Sequence, residues 1–202
     1  PLPPLHLPPS AQAAVLAQLY RQQQRPLLLL VGRVDNTNSW LQTLETWLPE
    51  DIELLRFLEP TPLPYDRGPW SERARLGRLQ VLTRLLAGRH PQIPERERPP
   101  FIIASARAFL QKTVPMRQFL GATRVLRQGQ IIDLEKTFET WLEIGYESVP
   151  VVEAAGQFSR RGGIVDIFPP ASDYPVRVEL FGDEIETLRY FDPATQRSLD
   201  VD

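Results

Sequence analysis

The stretch from Gly156 to Ser198 reads GQFSRRGGIVDIFPPASDYPVRVELFGDEIETLRYFDPATQRS and decides the fold of the second half of the chain. Two segments within it, 163–168 (GIVDIF) and 176–181 (VRVELF), are rich in β-branched and aromatic residues, which favour the pleated surface of a sheet. The Gly182-Asp183 pair that follows suits a two-residue II′ turn, so the chain should double back through residues 185–191. This pattern predicts an antiparallel meander.

The second predicted strand has one apolar face and one charged face. Strand alternation places Val176, Val178 and Leu180 on the first face, and Arg177, Glu179 and Phe181 on the second. A large aromatic side chain among charges has the composition of a protein-interface anchor. The alternative is that a second layer of the fold covers Phe181.

The succession RRGGIVDIFPP, PVRVELFGDEIE and FDPATQRS resembles the domain shared by the UvrB and transcription-repair coupling factor families. In those families this domain binds UvrA, the protein that brings damage recognition. The resemblance implies UvrA-contact positions at Arg161, Arg177 and Phe181, and Glu179 lies on the same predicted face. The resemblance therefore favours an interaction surface over a covered face.

The composition is that of a soluble globular chain: 202 residues, of which 42% are hydrophobic and 24% charged. No apolar run reaches the roughly 18 residues of a membrane span, and the Pro-rich start is unlike a signal peptide, so we expect a cytoplasmic protein. The chain has no cysteine and only two histidines, His6 and His90. Disulfides and a metal site are therefore not expected, and no motif indicates a cofactor.

Charge is distributed unevenly about a boundary near Ala122. Residues 1–123 contain 15 Lys and Arg against 10 Asp and Glu, whereas residues 124–202 contain 8 against 15. An acidic domain binds phosphate poorly, so we expect the second half to bind protein rather than DNA. We predict an α/β lobe with a parallel sheet over 1–123, followed by a small α+β domain with an antiparallel sheet over 124–202.

One loop of the first half has the position, but not the residues, of a phosphate-binding loop. The segment from Gly32 to Ser39 lies between a predicted strand and a helix that Ser39 should cap, with Gln42 completing a capping box. A P-loop needs glycine at its sixth position and lysine at its seventh, where this chain has Thr37 and Asn38. We predict a degenerate phosphate loop without ATPase function. An ordinary βα turn that never held phosphate predicts the same inactivity.

The first half alternates between predicted helices and strands, which is βαβ organisation. The predicted strands are 26–31, 52–58 and 101–104, and the predicted helices are 10–24, 39–48 and 71–86, with one more ending near Lys112. Ser10 and Ser71 should cap the first and third of these helices. The first should bury Leu16, Leu19 and Tyr20, the second Leu41, Leu44 and Leu48, and the third Leu76, Leu79, Leu82 and Leu86.

Four arginines on the third helix could indicate either a solvated face or DNA binding; they are Arg73, Arg75, Arg78 and Arg84. No aromatic stacking residue is interleaved among them, which favours the solvated face.

The first half is more similar to the coupling factor family than to UvrB. Residues 63–79 (LPYDRGPWSERARLGRL) match a Leu-Pro-Tyr-Asp loop and Arg-Leu-rich helix of the coupling factor. UvrB carries instead a tyrosine-rich hairpin that grips damaged DNA, and an intact P-loop. The resemblance implies a continuation into an RNA-polymerase-binding module and a duplex-DNA translocase. Since neither follows Asp202, we expect a fragment or a truncated paralogue that covers the first lobe and the UvrA-binding domain.

A strand at 124–130 and a helix capped by Asp133 are predicted to precede the meander. The helix should bury Leu134, Phe138, Trp141 and Leu142 against the apolar face of the sheet, and end at a left-handed Gly145. The face with Phe181 would then stay open.

Two carboxylates of the meander, Asp166 and Glu179, could in principle share acid–base work. No nucleophile, metal set or Gly-rich cleft accompanies them, so we expect structural roles. Asp166 should accept hydrogen bonds from a turn or pair with Arg161, and Glu179 should pair with Arg177 on the same face. Two classes of function then compete. They are a non-catalytic module that recruits UvrA, and a UvrB-like DNA-binding or residual nucleotide-binding module.

Overall fold

The computed structural model describes residues 6–23, 25–60, 62, 68–86, 89 and 98–199. The chain forms two compact units, residues 1–123 and 124–202, which we call the first and the second unit. Across the described residues, no helix has both the length and the apolar composition that crossing a membrane requires. The Leu-Pro-Tyr-Asp segment at 63–66 and His90 lie outside the described residues.

The first unit contains a parallel sheet, which confirms the predicted α/β lobe. Its strands in the described residues are β1 (Leu27–Val31), β2 (Leu54–Phe57) and β3 (Phe101–Ser105). The order is β1-β3-β2, and the first residue of β3 pairs with the first residues of both neighbours. All five residues of β3 are buried, as expected for a central strand with both faces covered.

Helices α1 (Pro9–Gln23) and α2 (Asp35–Glu45) cover one face of this sheet. Their shared core contains Ala13, Ala17, Tyr20, Leu44, Leu48, Phe101 and Ile103. The predicted cap at Ser10 is wrong, because α1 already begins at Pro9, whose fixed φ suits a first helical turn. Leu19 is exposed rather than inward, since the buried stripe of α1 runs through the two alanines and Tyr20.

Helix α3 (Glu72–Arg84) packs on the opposite face, where Val81 lies in one cluster with Leu55 and Ile102. The Ser71 hydroxyl caps it as predicted and accepts a hydrogen bond from the Ala74 N–H at 3.3 Å. Two shorter helices, α4 and α5, follow β3 and span Ala106–Leu110 and Met116–Ala122.

The buried stripe of α3 differs from the predicted one and includes an arginine. Three of the four predicted leucines are only half-buried, namely Leu76, Leu79 and Leu82, whereas Ala74, Arg78 and Val81 are buried. Arg73 and Arg75 are exposed, as the solvated-face prediction requires, but Arg84 pairs with Glu53 at 2.6 Å. The prediction is therefore wrong for Arg78.

Arg78 is buried because its guanidinium joins three elements. It donates hydrogen bonds to the carbonyl oxygens of Leu58, Ala108 and Gln111 at 3.0, 3.1 and 3.4 Å. It also lies 3.8 Å from the ring centroid of Phe57, a cation–π distance. Burial lowers the pKa of Arg78. Arg78 thus ties α3 to the ends of β2 and α4 rather than facing solvent.

The second unit contains a five-stranded sheet in the order β4-β5-β6-β7-β8. These strands are β4 (Glu147–Ser148), β5 (Gln157–Arg161), β6 (Ile164–Ile167), β7 (Val176–Phe181) and β8 (Glu184–Tyr190). The pairing of β4 with β5 is parallel and the other pairings are antiparallel. The predicted antiparallel meander is confirmed from β6 to β8, and β5 extends it by one strand.

Tight glycine turns join β5 to β6 and β7 to β8. Gly162 and Gly182 both have φ of +62°, a left-handed conformation that other residues rarely adopt. In the second turn Asp183 has no positive φ, which agrees with the predicted II′ type. Gly163 is required for space instead, because a Cβ there would lie 3.0 Å from the carbonyl oxygen of Leu180.

Helix α6 (Leu134–Glu143) covers the apolar face of this sheet. The Asp133 carboxylate caps it as predicted, accepting a hydrogen bond from the Lys136 N–H at 3.1 Å, and Gly145 has the predicted left-handed φ of +97°. The buried side of α6 contributes Leu134, Phe138 and Trp141 to a core with Phe158, Val165, Val178 and Ile185. Leu142 was predicted in this core but is exposed. It follows the buried Trp141 in the sequence, and the helix turns its side chain away from the sheet.

The predicted strand at 124–130 is wrong. In its place, the segment from Gly129 to Ile132 crosses the start of β8 and forms an isolated bridge between Ile131 and Glu184. Gly129 has a φ of +77°, which turns the chain at the start of this crossing and prevents a longer ladder.

Candidate functional site

Phe181 is the most prominent apolar side chain of the second unit's surface, with 80% of its area exposed. It ends β7, where its neighbour on β8 is Glu184. On its other side, the pairing of β6 with β7 places the turn residues Gly162 and Gly163 beside the end of β7. Neither glycine has a side chain that could shield the ring. Phe181 is therefore exposed, as the predicted open face requires, and the alternative of a covering layer is wrong for this residue.

Three charged side chains form a cluster on the same face of the sheet, which we call the Asp166 cluster. The Asp166 carboxylate accepts hydrogen bonds from Arg161 Nη2 at 2.7 Å and from Arg177 Nε and Nη2 at 2.7 and 2.9 Å. The cross-strand pairing of Asp166 with Arg177 sets this geometry. The predicted pair with Arg161 is present, and the forked contact with Arg177 adds a second, bidentate pair.

The two arginines of the Asp166 cluster differ in exposure. The Arg161 side chain is 53% exposed and that of Arg177 only 17%, above a carboxylate that is 1% exposed. Arg177 also lies 4.8 Å from the Phe191 ring centroid and donates to the Gln196 carbonyl oxygen at 3.4 Å. Hydrogen bonding to Asp166 raises the pKa of Arg177 against the opposing effect of burial. Arg161 is thus the more accessible cation of this face.

Glu179 lies between the Asp166 cluster and Phe181 but does not form the predicted pair with Arg177. Its carboxylate accepts a hydrogen bond from the Thr187 hydroxyl at 2.8 Å, and Thr187 is its cross-strand partner. Arg177 turns toward Asp166 instead, because that carboxylate is buried and offers two oxygens. On the other side of Glu179, Ile164 is exposed on the same face and was not singled out from the sequence.

The residues of the predicted phosphate loop are not arranged as a loop. Helix α2 begins at Asp35, so Thr37, Asn38 and Ser39 are all helical, and the predicted cap at Ser39 is wrong. The buried Thr37 hydroxyl donates to the Val34 carbonyl oxygen at 2.6 Å, inside its own first turn. Beyond β1, Gly32 has open space where a side chain would lie.

A cavity of about 240 Å³ lies beside these residues, at the carboxyl end of the parallel sheet. Several of its polar side chains already have partners within the unit: Arg56 donates to Asn38, and Glu59 accepts from Ser105 and Arg107. Two acidic residues, Asp35 and Glu59, and two arginines, Arg56 and Arg73, line the cavity, so its formal charges balance. The arrangement offers no lysine for a terminal phosphate.

We predict that the chain does not bind ATP with magnesium more tightly than about 1 mM, the affinity of a weak encounter. The reason is that Thr37 and Asn38 occupy the positions of glycine and lysine, and α2 begins two residues too early to leave a phosphate loop. Isothermal calorimetric titration measures this directly. Micromolar binding or ATP hydrolysis would contradict it. The double variant Thr37→Gly/Asn38→Lys is the matched comparison and should not gain binding, since its backbone stays helical.

Comparison with known proteins bears on the second unit first. Residues 125–201 match the protein family described as the UvrB interaction domain, which contains the whole Asp166 cluster and Phe181. Over 95% of its length the chain is 32% identical to a transcription-repair-coupling factor of Myxococcus xanthus. The chain is similar to transcription-repair-coupling factors over nearly its whole length.

Other transcription-repair-coupling factors are similar over the same extent. The identity is 28% with the factor of Bacillus subtilis (strain 168) over 95% of the chain, and 30% with that of Staphylococcus aureus (strain USA300) over 96%. The chain spans 16% of the length of each of these relatives. The family resemblance drawn from the motifs is confirmed, and it extends over both units.

Proposed function

We propose that this chain recruits the excision-repair protein UvrA through the open face of its second unit, as the N-terminal part of a transcription-repair coupling factor. The observation that carries the proposal is the exposed Phe181 ring, held beside the Asp166 cluster in a unit that matches the UvrB interaction domain. The setting is transcription-coupled nucleotide excision repair in the cytoplasm.

The exposed ring has the physical properties of a binding anchor. Aromatic residues and arginine dominate interface hot spots, because a large rigid surface leaves water at a small cost in conformational entropy. Phe181 extends from a strand end whose backbone is paired on both sides, to Gly163 and to Glu184. We infer that its ring enters an apolar pocket of UvrA without rearrangement of the sheet.

The charges around the ring supply orientation. Arg161 is half-exposed and can reach a carboxylate of UvrA while it keeps its ion pair with Asp166. Arg177 contributes through its small exposed part and by holding Asp166 in place. Glu179 adds an acceptor between them and Phe181. An alternation of cation, acceptor and ring selects a partner by charge as well as by shape.

We further infer that this part of the family performs recruitment and no catalysis. In the first-unit cavity Glu59 is paired with Ser105 and Arg107, and the side chains of the Asp166 cluster satisfy each other rather than facing a cleft. In the family, contact with RNA polymerase and with duplex DNA would then belong to other parts of the longer relatives.

Duplex DNA should bind the chain only weakly, and the binding should disappear near physiological salt. Of the four arginines on α3, Arg78 is buried and Arg84 is paired with Glu53, so the predicted basic helix face is reduced to Arg73 and Arg75. Few phosphate contacts give weak binding, so that even the modest loss that salt causes is enough to abolish it near physiological salt. Fluorescence anisotropy across a salt series measures it. Submicromolar affinity that persists at about 150 mM salt would favour the DNA-binding alternative instead.

The direct test of the proposal is a titration of the 202-residue chain with UvrA from the same organism. We expect saturable, one-to-one binding by calorimetry or biolayer interferometry at low salt, which weakens as salt screens the arginines. Serum albumin at the same concentration serves as the control for non-specific contact. Absence of UvrA binding at low salt would contradict the proposed function as a whole.

A further inference from the structure

A second apolar side chain, Ile131, stands exposed at the same end of the sheet, with 77% of its area open. It lies in the segment that crosses the start of β8, and its neighbour Ile132 is buried in the core of the second unit. The strand-like alternation of this segment therefore turns one isoleucine inward and the other outward. The resemblance that selected Phe181 did not select Ile131.

Ile131 and Phe181 lie in one lateral row. Glu184 pairs with Phe181 on one side and with Ile131 on the other, both in antiparallel register. Side chains of directly paired residues point to the same face of a sheet. With neighbouring strands about 4.8 Å apart, the two apolar side chains are separated by about 10 Å, and the backbone of Glu184 lies between them. The Glu184 carboxylate extends toward Gly129, where a Cβ would lie 4.0 Å from its Oε1.

The backbone holds this row firmly. The Gly129 N–H donates to the Ile185 carbonyl oxygen at 2.8 Å, and the Ile132 N–H donates to that of Asp183 at 2.8 Å. The Ile185 N–H in turn donates to the Gln130 carbonyl oxygen at 2.9 Å. The residues before and after Ile131 in the sequence are therefore held by backbone hydrogen bonds. A substitution of the Ile131 side chain would leave these hydrogen bonds in place. A fixed apolar side chain loses little further freedom when a partner covers it.

We propose that Ile131 is a second apolar anchor of the surface that binds UvrA, continuous with Phe181 across Glu184. The proposal rests on the function proposed above and specifies the partner surface more closely. UvrA would present two apolar depressions about 10 Å apart, with a hydrogen-bond donor or a cation beside them that meets the Glu184 carboxylate near Gly129. A single exposed isoleucine is common on protein surfaces, but this one is in register with the main anchor and rigidly held.

The test compares four chains in UvrA titrations: the parent, Ile131→Ala, Ile131→Val and Ile144→Ala. Ile144 is the matched control, since it is an exposed isoleucine of the same unit at the end of α6. We expect Ile131→Ala to weaken UvrA binding by about fivefold or more, equivalent to about 1 kcal/mol. Ile131→Val should keep most of the affinity and Ile144→Ala all of it. The loss should be the same at low and high salt, because it is apolar in origin.

The outcomes separate this proposal from the one on which it rests. If the parent binds UvrA and Phe181→Ala weakens that binding, while Ile131→Ala binds as the parent does, the second anchor is excluded and the proposed function stands. If the parent does not bind UvrA, both are overturned. Thermal melts of every variant must match the parent melt. Light scattering must show that the chain stays monomeric, since a dimer broken by Ile131→Ala would assign the surface to a second copy.

Discussion

Phe181→Ala should weaken UvrA binding at least about thirtyfold while leaving the stability of the chain unchanged. The ring is 80% exposed in the free chain, so its removal takes away almost no packing within the sheet. Truncation of an aromatic hot spot costs about 2 kcal/mol or more of binding free energy, and each 1.4 kcal/mol is tenfold in affinity. UvrA titration measures the first effect and urea denaturation the second.

Two control variants separate the faces of the second unit. Leu142→Ala removes an exposed side chain from α6, the helix that covers the face of the sheet opposite Phe181. This substitution should change neither UvrA binding nor the free energy of unfolding. Val178→Ala removes a buried side chain beneath α6 and should lower the free energy of unfolding by about 2 kcal/mol, with normal UvrA binding by the folded fraction. A Phe181→Ala chain that melts several degrees lower and still binds UvrA normally would show that Phe181 is structural.

The meander could be predicted from the sequence because several independent local signals agree there. The β-branched segments, the alternation of β7 and the Gly182-Asp183 turn all indicate the same hairpin, and the structure has it. The register that the turn sets holds for Leu180 and Phe181, and a β-bulge then shifts the pairing so that Glu179 lies opposite Thr187. The caps at Ser71 and Asp133 were predictable for the same reason, since a hydroxyl or carboxylate three residues before a free N–H acts within one turn. Local chemistry of this kind needs no knowledge of the tertiary fold.

Tertiary contacts explain what the sequence could not show. Arg78 and Arg177 look like surface residues by composition, yet carbonyl oxygens satisfy the first and a carboxylate the second. Ser39 has the pattern of a helix cap, but α2 begins four residues earlier at Asp35. For the two arginines, partners distant in the sequence decide between the placements that the local pattern allows. The exposure of Ile131 likewise depends on a bridge to Glu184, more than fifty residues away.

Asp166→Asn should lower the free energy of unfolding by about 3 kcal/mol, because it removes the charge that compensates a largely buried Arg177 and keeps the size of the side chain. Removal of one partner from a buried pair is strongly destabilising, since the other charge remains without compensation. Urea denaturation measures the loss of stability, which shows as a lower midpoint with the same m-value as the parent chain. Glu186→Gln, at an exposed carboxylate of the same sheet, is the control and should change stability by less than about 0.5 kcal/mol.

A double-mutant cycle decides whether Arg177 is the reason for that loss. Arg177→Met keeps much of the apolar stem beside Phe191 and removes the charge, so Asp166→Asn should be less destabilising in its presence, with a coupling of about 1–3 kcal/mol. The same cycle with Arg161→Met should give a smaller coupling, because Arg161 is half in solvent. Equal coupling energies would mean that Asp166 interacts equally strongly with Arg161 and Arg177. UvrA binding separates their roles further, since Arg161→Met should weaken it directly while the chain stays folded.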